Sequence, residues 1–313
     1  MAEIVTFGET MLRLSPPSGE RLETANQLEY RTAGAESNVA VAASRLGTEA
    51  AWLSKLPDSP LGRRVRNDVR RHGVGTQICW SEAGRQGTYY LEQGGEPRGT
   101  DVIYDRGNAA VTTATPDDLA TDAIADADVF FTTGITAALS ATCFDTTERL
   151  LELAGRTAFD LNYRNKLWSV DEARAAFDDL LPLVDVLFAP ERDAKSILDT
   201  SGEPAEMAAD LRDRYGCETV VLTRGEKGAL ARTPEGTFEQ PAFESETSDA
   251  IGTGDAFVGG YLSRMVRGAG VERALAYGAA TAALKRTIDG DIAVVTESEV
   301  EAVLDDRTDG IAR

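Results

Sequence analysis

Apolar segments with the character of buried β-strands alternate with amphipathic helical segments along most of this chain. This alternation is typical of a sheet that carries helices on both of its faces. We therefore predict an α/β fold, with a doubly wound, mostly parallel sheet flanked by helices. The predicted strands span residues 4–7, 50–53, 129–132, 158–161, 186–189 and 219–223, and the predicted helices span 36–46, 61–71, 145–153, 171–180, 205–215, 254–266 and 271–286.

Two segments interrupt the alternation, residues 12–31 and 78–106, and both are rich in Gly, Pro, Tyr and Thr. Both lie between core elements, so we expect them to meet as a small antiparallel sheet that projects from the main sheet. A mobile sheet over a pocket would form a lid that excludes water. The alternative is a second structural sheet without a gating role. Residues 1–313 are thus predicted to form one domain with two inserted lid segments.

The charge balance is strongly acidic, with 52 acidic and 32 basic residues and a formal net charge of −20. An acidic surface with few lysines is the pattern expected of a halophilic protein, since at molar salt a screening length of ~3 Å removes self-repulsion. The alternative is an acidic protein from an ordinary cytoplasm. In either case nucleic acid and anionic membranes are not expected as partners.

Other composition signals exclude several kinds of protein. No apolar run reaches the ~18 residues that a membrane span needs, and the first eight residues lack the basic start of a signal peptide. We therefore expect a cytoplasmic protein. The three cysteines show no metal-ligand spacing, and the single histidine, His72, argues against a histidine triad or a multi-histidine metal site.

The most informative stretch is residues 249–257, which place two glycines and a carboxylate at the start of a predicted helix. Unpaired N–H groups at a helix start attract anions, and glycines let that backbone approach them closely. The N–H groups around Gly252, Thr253 and Gly254 could hold a phosphoryl group while Asp255 removes a proton from a hydroxyl. The stretch therefore predicts phosphoryl transfer to an alcohol. The alternative is an aspartate that only caps a core helix.

Two further stretches place polar groups where ligands bind in α/β proteins. In residues 34–47, Gly34 precedes an alanine-rich helix, and Asn38 near its start could bind ligand hydroxyls. In residues 159–168, Arg164 follows the end of a strand, where an open sheet binds its ligands. This arginine could pair with a carboxylate or a phosphate. The alternative for Arg164 is an ion pair with a surface aspartate.

Two nucleotide-binding patterns are absent from the sequence. Residues 219–230 run from a buried strand through a glycine turn into another strand, unlike a Gly-x-x-x-x-Gly-Lys-Ser/Thr phosphate loop. The first strand is followed by Gly8-Glu9-Thr10-Met11 rather than by Gly-x-Gly-x-x-Gly. A dinucleotide-dependent dehydrogenase therefore has little support.

Residues 34–47 and 249–257, in this order and with the lid segments, resemble the two signatures of the ribokinase-like carbohydrate kinases, the phosphofructokinase-B family. The resemblance covers nearly the whole chain. It implies ATP as phosphoryl donor, Mg²⁺ and a sugar hydroxyl as acceptor, and it leaves open a monovalent cation such as K⁺. Within the family, Asn162-Tyr163-Arg164 followed by Leu167-Trp168 resembles the segment with which 2-keto-3-deoxygluconate kinases bind the substrate carboxylate.

The resemblance implies ATP-dependent phosphorylation of the terminal hydroxyl of 2-keto-3-deoxygluconate, as in Entner–Doudoroff-type catabolism, with Asp255 as the base. The residues implied to bind the sugar acid are Gly34, Asn38, Tyr89, Tyr104, Arg106, Asn162, Arg164 and Asp255. The residues implied to bind the nucleotide are Thr223, Gly225, Gly228, Gly252, Gly254, Ala282 and Lys285.

One departure from the family pattern concerns the metal, because the frequent Asn-x-x-Glu motif reads Pro190-Glu191-Arg192-Asp193 here. Asp193 could replace the glutamate and act on Mg²⁺ through water. Two functional alternatives stay open: a kinase of a neutral sugar such as fructose or ribose, and a sugar-binding regulator without catalysis. A homo-oligomer is also expected, either a dimer that pairs exposed lid edges or a larger assembly.

Overall fold

The computed structural model describes residues 2–95 and 97–305, and two sheets dominate it. The strands are β1 (Ile4–Phe7), β2 (Met11–Ser15), β3 (Glu29–Ala33), β4 (Ala50–Pro57), β5 (Gly75–Ser81), β6 (Thr88–Gln93), β7 (Thr100–Asp105), β8 (Val129–Thr133), β9 (Thr157–Asp160), β10 (Val186–Pro190), β11 (Thr219–Thr223), β12 (Ala229–Thr233) and β13 (Gly236–Gln240).

The helices connect these strands and cover the larger sheet. They are α1 (Ala35–Arg45), α2 (Pro60–Arg70), α3 (Thr121–Ala125), α4 (Gly134–Ala137), α5 (Ala141–Leu153), α6 (Val170–Leu180), α7 (Glu191–Ile197), α8 (Pro204–Tyr215), α9 (Thr253–Met265), α10 (Val271–Arg286) and α11 (Glu297–Leu304). Across residues 2–95 and 97–305, no helix has the length and apolar character that crossing a membrane requires.

The larger sheet has nine strands in the order β13-β12-β11-β10-β9-β8-β1-β4-β5. All pairs from β11 to β5 are parallel, whereas β12 and β13 form an antiparallel edge. The six predicted strands all lie in this sheet, so the prediction of a mostly parallel sheet is confirmed. The alternation of side chains gives it two buried faces. Phe7 packs on one face with Phe177 of α6, and Trp52 packs on the other with Val39 of α1.

The parallel arrangement brings one end of many strands to a common edge. Glu9 lies just after β1, Asp160 ends β9, and Thr223 ends β11. Because carboxyl ends of parallel strands meet at one edge, polar groups from distant parts of the chain gather there. This edge carries the candidate site.

The smaller sheet has the order β3-β2-β6-β7 and forms the lid. Its two hairpins are antiparallel, but the central strands β2 and β6 pair in parallel, with Leu12 opposite Thr88. The prediction of an antiparallel lid is therefore wrong at its centre. The physical reason is that β1 and β5, which precede the two hairpins, run in the same direction in the large sheet.

The lid segments also differ from their predicted bounds. Residues 78–81 belong to β5 of the large sheet, where Ser81 pairs with Pro57 of β4. The first hairpin extends beyond 12–31 on both sides, from Met11 to Ala33. On the inner face of the lid, Met11, Ala33, Tyr89 and Leu91 form an apolar cluster against which Ile251 packs. The lid thus rests directly on the loop before α9.

Close packing of α1 on α9 sets the geometry of the site. A Cβ atom at Gly259 of α9 would lie 2.5 Å from Cβ of Ala42 and 2.8 Å from the carbonyl oxygen of Val39. Only a glycine therefore allows this approach of the two helices. The approach brings Asn38 Nδ2 to 2.7 Å from Asp255 Oδ2.

The Gly259→Ala variant is expected to lose ~1–3 kcal/mol of unfolding free energy, because the extra methyl group forces α1 away from α9. Turnover should fall as well, since the Asn38–Asp255 bond is stretched. Denaturant unfolding measures the first effect. Gly155→Ala is the control, because nothing lies within 4 Å of a Cβ at that position. Equal stability of the two variants would show that the helices separate without cost.

Candidate active site

A cavity of about 500 Å³ lies between the lid and the carboxyl ends of the parallel strands. Strand β9 contributes Asp160 to its wall, the segment after β9 contributes Arg164, α9 contributes Asp255, and the lid contributes Tyr89 and Tyr104. All eight residues predicted to contact a sugar acid line this one cavity: Gly34, Asn38, Tyr89, Tyr104, Arg106, Asn162, Arg164 and Asp255. Their individual roles stay predictions.

Asp255 lies in the first turn of α9 with its carboxylate towards Asn38. Gly252 is the N-cap of the helix, and no side chain caps it, so Asp255 is not a capping aspartate. Asn38 Nδ2 donates to Asp255 Oδ2 at 2.7 Å. Burial raises the pKa of Asp255 to about 6, although the Asn38 bond and the charge of Arg164 act in the opposite direction. At neutral pH the carboxylate is therefore ionised and still basic enough to accept a proton.

The start of α9 also presents free N–H groups. Within the described residues, the N–H groups of Gly252, Gly254 and Asp255 have no hydrogen-bond acceptor, and that of Thr253 lies 3.4 Å from the carbonyl oxygen of Ala250. Gly252 has φ +78°, and a Cβ there would lie 2.0 Å from the carbonyl oxygen of Asp291, so only glycine fits. The free N–H groups and the helix dipole make this turn an anion site beside Asp255.

Three arginines line the cavity, and two of them, Arg106 and Arg164, differ in their partners. Arg106 is paired with the buried carboxylate of Glu9 and lies 5.3 Å from the centre of the Tyr104 ring. Arg164 donates to the carbonyl oxygen of Tyr163 at 3.0 Å, and no carboxylate of the described residues forms an ion pair with it. The surface ion pair considered for Arg164 is therefore not formed. Arg164 is the arginine that is free to bind an acidic group.

Two buried carboxyl groups beside Asp255 were not among the predicted site residues. Asn162, held at φ +39°, donates its N–H to Asp160 at 2.9 Å, and burial raises the pKa of Asp160 to about 7. Glu36 accepts from the hydroxyls of Thr133 and Thr136, each at 2.7 Å, and burial raises its pKa to about 7. The cavity thus holds carboxyl groups that titrate near neutrality, which is typical of functional sites.

Sequence position could have marked Glu9 and Asp160 as site residues. Glu9 lies just after the parallel strand β1 and Asp160 ends the parallel strand β9, and ligand groups are expected at such strand ends. Glu36 lies inside an alanine-rich helix, and its acidic side chain is the only local signal. Asp291 also lines the cavity, although it follows α10 in a loop without a recognisable pattern. Its place in the site follows from tertiary packing alone.

A second cleft of about 200 Å³ adjoins the first at the start of α9, and Thr253 and Gly254 line both. Thr223, Gly225, Gly228 and Ala282, which were predicted to bind a nucleotide, line this cleft. Its wall is made largely of glycine, alanine and phenylalanine, which suits a flat apolar group.

The structure corrects the expectation for Lys285. Its side chain is fully buried and lines neither cavity. The ammonium group donates to the carbonyl oxygens of Asp249 at 2.9 Å and of Ile288 at 3.1 Å. Lys285 therefore holds the loop before α9 from below instead of contacting a nucleotide, because it projects inwards from α10.

Asp193 lies in the wall of the main cavity and is 6% exposed. Arg192 Nε donates to its Oδ1 at 3.2 Å, whereas its Oδ2 has no partner. Residues 2–95 and 97–305 contain no group of three or more His, Cys, Asp or Glu that could hold a metal ion. Asp193 therefore suits Mg²⁺ in the way that nucleotide enzymes bind this ion, through one or two carboxylates, phosphate oxygens and water.

Residues 1–298 match the model of the pfkB family carbohydrate kinases. The chain belongs to this family. It is 62% identical over 316 residues to a 2-dehydro-3-deoxygalactonokinase of Haloferax volcanii, with 100% of this chain and 99% of the relative covered. The ribokinase-like fold and the activity of a carbohydrate kinase, both expected from the sequence, are thereby confirmed.

Solved structures agree with this assignment. The crystal structure of a 2-dehydro-3-deoxygluconokinase from Thermotoga maritima has a TM-score of 0.91 at 31% identity and covers 96% of this chain and 98% of its own. A candidate ribokinase II of E. coli, in complex with ATP and Mg²⁺, has a TM-score of 0.88 at 21% identity, with 98% and 100% covered. The second likeness shows the fold alone.

If Asp255 is the base of this PfkB kinase, kcat/KM for the carbohydrate should fall as the pH drops through about 6, because the protonated carboxyl cannot accept a proton. In Asn38→Ala this fall in kcat/KM should occur at higher pH, since the Asn38 bond lowers the pKa of Asp255. Measuring kcat/KM over a series of pH values tests both expectations.

Ser37→Ala is the matched control. Its fall in kcat/KM should occur at the wild-type pH, because the hydroxyl of Ser37 contacts Gly34 and Thr10 instead of Asp255. A fall in Asn38→Ala at the wild-type pH would contradict the assignment of Asp255 as the base.

Proposed function

We propose that this carbohydrate kinase transfers a phosphoryl group from ATP to the terminal hydroxyl of a 2-keto-3-deoxy sugar acid. The observation that carries the proposal is Arg164, a cavity arginine without a carboxylate partner, which shares one pocket with Asp255 and the free N–H groups of α9. An acidic substrate would complete this arrangement. The names of the Haloferax volcanii and Thermotoga maritima relatives support the same class of acid.

The identity of the acid within that class is a finer proposal. The sequence predicted 2-keto-3-deoxygluconate, which agrees with the name of the Thermotoga maritima structure. The Haloferax volcanii relative, at 62% identity, is named for the galactonate form, which differs in the configuration at one carbon. We favour the galactonate form as the better substrate, because the relative named for it is 62% identical to this chain, against 31% for the Thermotoga maritima structure.

The residues of the chain act by position and charge. Arg164 binds the substrate carboxylate and so directs the opposite end of the acid towards Asp255. Asp255 accepts the proton of the terminal hydroxyl, and the N–H groups of Gly252 and Gly254 stabilise the charge on the transferred phosphoryl oxygens. Tyr89 and Tyr104 of the lid cover the pocket and exclude water, which limits transfer of the phosphoryl group to solvent.

The apolar cleft lined by Thr223, Gly225, Gly228 and Ala282 would hold the base of ATP, with its phosphates directed to the start of α9. Bound Mg²⁺ would neutralise the phosphate charges, and Asp193 would orient it through water. K⁺ stays a prediction, which equal concentrations of KCl and NaCl would test. The dimer through the lid, the cytoplasmic location and the halophilic character also stay predictions.

The test is ATP consumption with Mg²⁺ in molar KCl, measured on both 2-keto-3-deoxy acids, on fructose and on ribose. Asp255→Asn, prepared in the same way, controls for contaminating kinases. We expect kcat/KM for the keto acids to exceed that for the neutral sugars by at least ~100-fold, the effect of one charge-assisted contact. Equal or better use of fructose or ribose would overturn the proposed substrate class. Failure to phosphorylate any of these four compounds would also overturn the proposed substrate class, because the kinase would then act on another acceptor.

A further inference from the structure

A buried cluster of charges joins the lid to the loop before α9. Arg13 of lid strand β2 is 3% exposed, and its Nη1 donates to Asp291 Oδ2 at 2.8 Å and to Asp249 Oδ2 at 3.2 Å. The hydroxyl of Tyr89, on lid strand β6, donates to Asp291 Oδ1 at 3.0 Å. Two strands of the lid are therefore bonded to two carboxylates of the body.

Ions buried in this way cost free energy unless their charges are compensated. Asp249 is 3% exposed and Asp291 is 4% exposed. Arg13 and the ammonium group of Lys285 supply two positive charges beside these two carboxylates. The cluster is close to neutral only while Arg13 is present, so the lid strand completes its charge balance.

Asp249 in turn shapes the loop that leads into α9. Its Oδ1 accepts the N–H of Ile251 at 3.0 Å, and its Oδ2 accepts the N–H of Gly290 at 3.1 Å. Gly252, the N-cap of α9, lies against the carbonyl oxygen of Asp291 with no room for a Cβ. The two carboxylates held by Arg13 are thus part of the two segments that fix the anion site.

We propose that Arg13 is a positioning residue, which through Asp249 and Asp291 orients the N–H groups at the start of α9 and links the placement of the lid to the formation of the anion site. The proposal rests on phosphoryl transfer at that site. An anion site acts mainly on the transition state, so its misalignment lowers kcat more than it raises KM. Arg13 itself contacts no reacting atom in this scheme.

The test compares Arg13→Met with Arg98→Met, a lid arginine that is 38% exposed and pairs with Glu92. The expected fall in kcat for Arg13→Met is about 10- to 100-fold, with KM for the sugar acid changed by less than about threefold. Arg98→Met should keep both constants within about twofold of the wild type. Unchanged kcat in a folded Arg13→Met protein, or a loss confined to KM, would overturn the proposal.

A double variant separates positioning from folding. Asp291→Asn added to Arg13→Met removes one of the two buried negative charges that Arg13 balances, so the melting temperature should rise again. The kcat should stay low, because the contacts of Arg13 that join the lid to the anion site are still absent. Recovery of kcat together with stability would show that Arg13 is only structural. If Arg13→Met does not fold, the kcat and KM of the double variant and of Arg13→Lys are compared with those of Arg98→Met in its place.

Substrate use by the wild type and by Arg98→Met shows whether a failure concerns the positioning role of Arg13 or the proposed function on which that role rests. If wild type and Arg98→Met use no keto acid but phosphorylate a neutral sugar, the substrate class is wrong, and the kcat of Arg13→Met on that sugar tests the positioning role. If both use the keto acid and Arg13→Met is equally fast, the substrate class stands and the positioning role fails.

Discussion

Turnover of the Asp255→Ala variant is expected to fall by ~10²- to 10⁴-fold, the usual contribution of a general base. The carboxylate faces the cavity at the start of α9, and Asn38 holds it at 2.7 Å. ATP binding should be largely unchanged, because the apolar cleft is lined by other residues. Steady-state kinetics measures the loss, and nucleotide titration of the variant measures the binding.

Glu272→Ala is the matched control for Asp255→Ala, because Glu272 is an exposed acidic residue in the first turn of the neighbouring helix α10. Its turnover should stay close to the wild-type value. Asp255→Asn keeps the shape and hydrogen-bonding reach of the side chain without its basicity, so it should be nearly as slow as Asp255→Ala. Near-normal turnover of either Asp255 variant would contradict the assignment of Asp255 as the base.

The Arg164→Ala variant is expected to lower kcat/KM for the sugar acid by ~10²- to 10³-fold, the effect of removing one partner of a charge-assisted pair. Use of fructose, however slow in the wild type, should change by less than about threefold, because it has no carboxylate to pair. The physical basis is the position of Arg164 in the cavity without a carboxylate partner in the described residues.

Arg192→Ala is the control for Arg164→Ala. Arg192 also lines the cavity, but its side chain is 80% exposed and pairs with Asp193. A rim charge of this kind contributes little, so both substrates should be used nearly as well as by the wild type. An equal loss of kcat/KM for the sugar acid and for fructose in Arg164→Ala would mean that Arg164 supports the fold of the pocket instead of binding the carboxylate.

Local patterns were sufficient for much of the fold. The predicted strand 219–223 and helix 271–286 coincide with β11 and α10, because a buried parallel strand and a long helix have strong periodic signals. The first lid hairpin was recognised from its composition. The parallel pairing of β2 with β6 was missed, since it depends on the direction in which β1 and β5 enter the lid.

The site was predictable where its residues lie at strand ends or helix starts, as Asp255, Asn38 and Arg164 do. It was not predictable where long-range packing decides. Arg13 and Asp291 meet across 278 residues of sequence, and no local pattern marks either one. The family resemblance implies a nucleotide contact for Lys285, but a sequence pattern does not give the direction in which a helical side chain projects.

The most direct test of the central claim is the position of the phosphate on the product. NMR coupling between phosphorus and carbon, recorded on the product from a 2-keto-3-deoxy acid and ATP, identifies the carbon that carries the new ester. Transfer guided by Arg164 at one end of the acid and Asp255 at the other predicts a single phosphomonoester on the terminal carbon. An ester on an inner hydroxyl, or no phosphorylated acid from an enzyme that phosphorylates fructose or ribose, would contradict it.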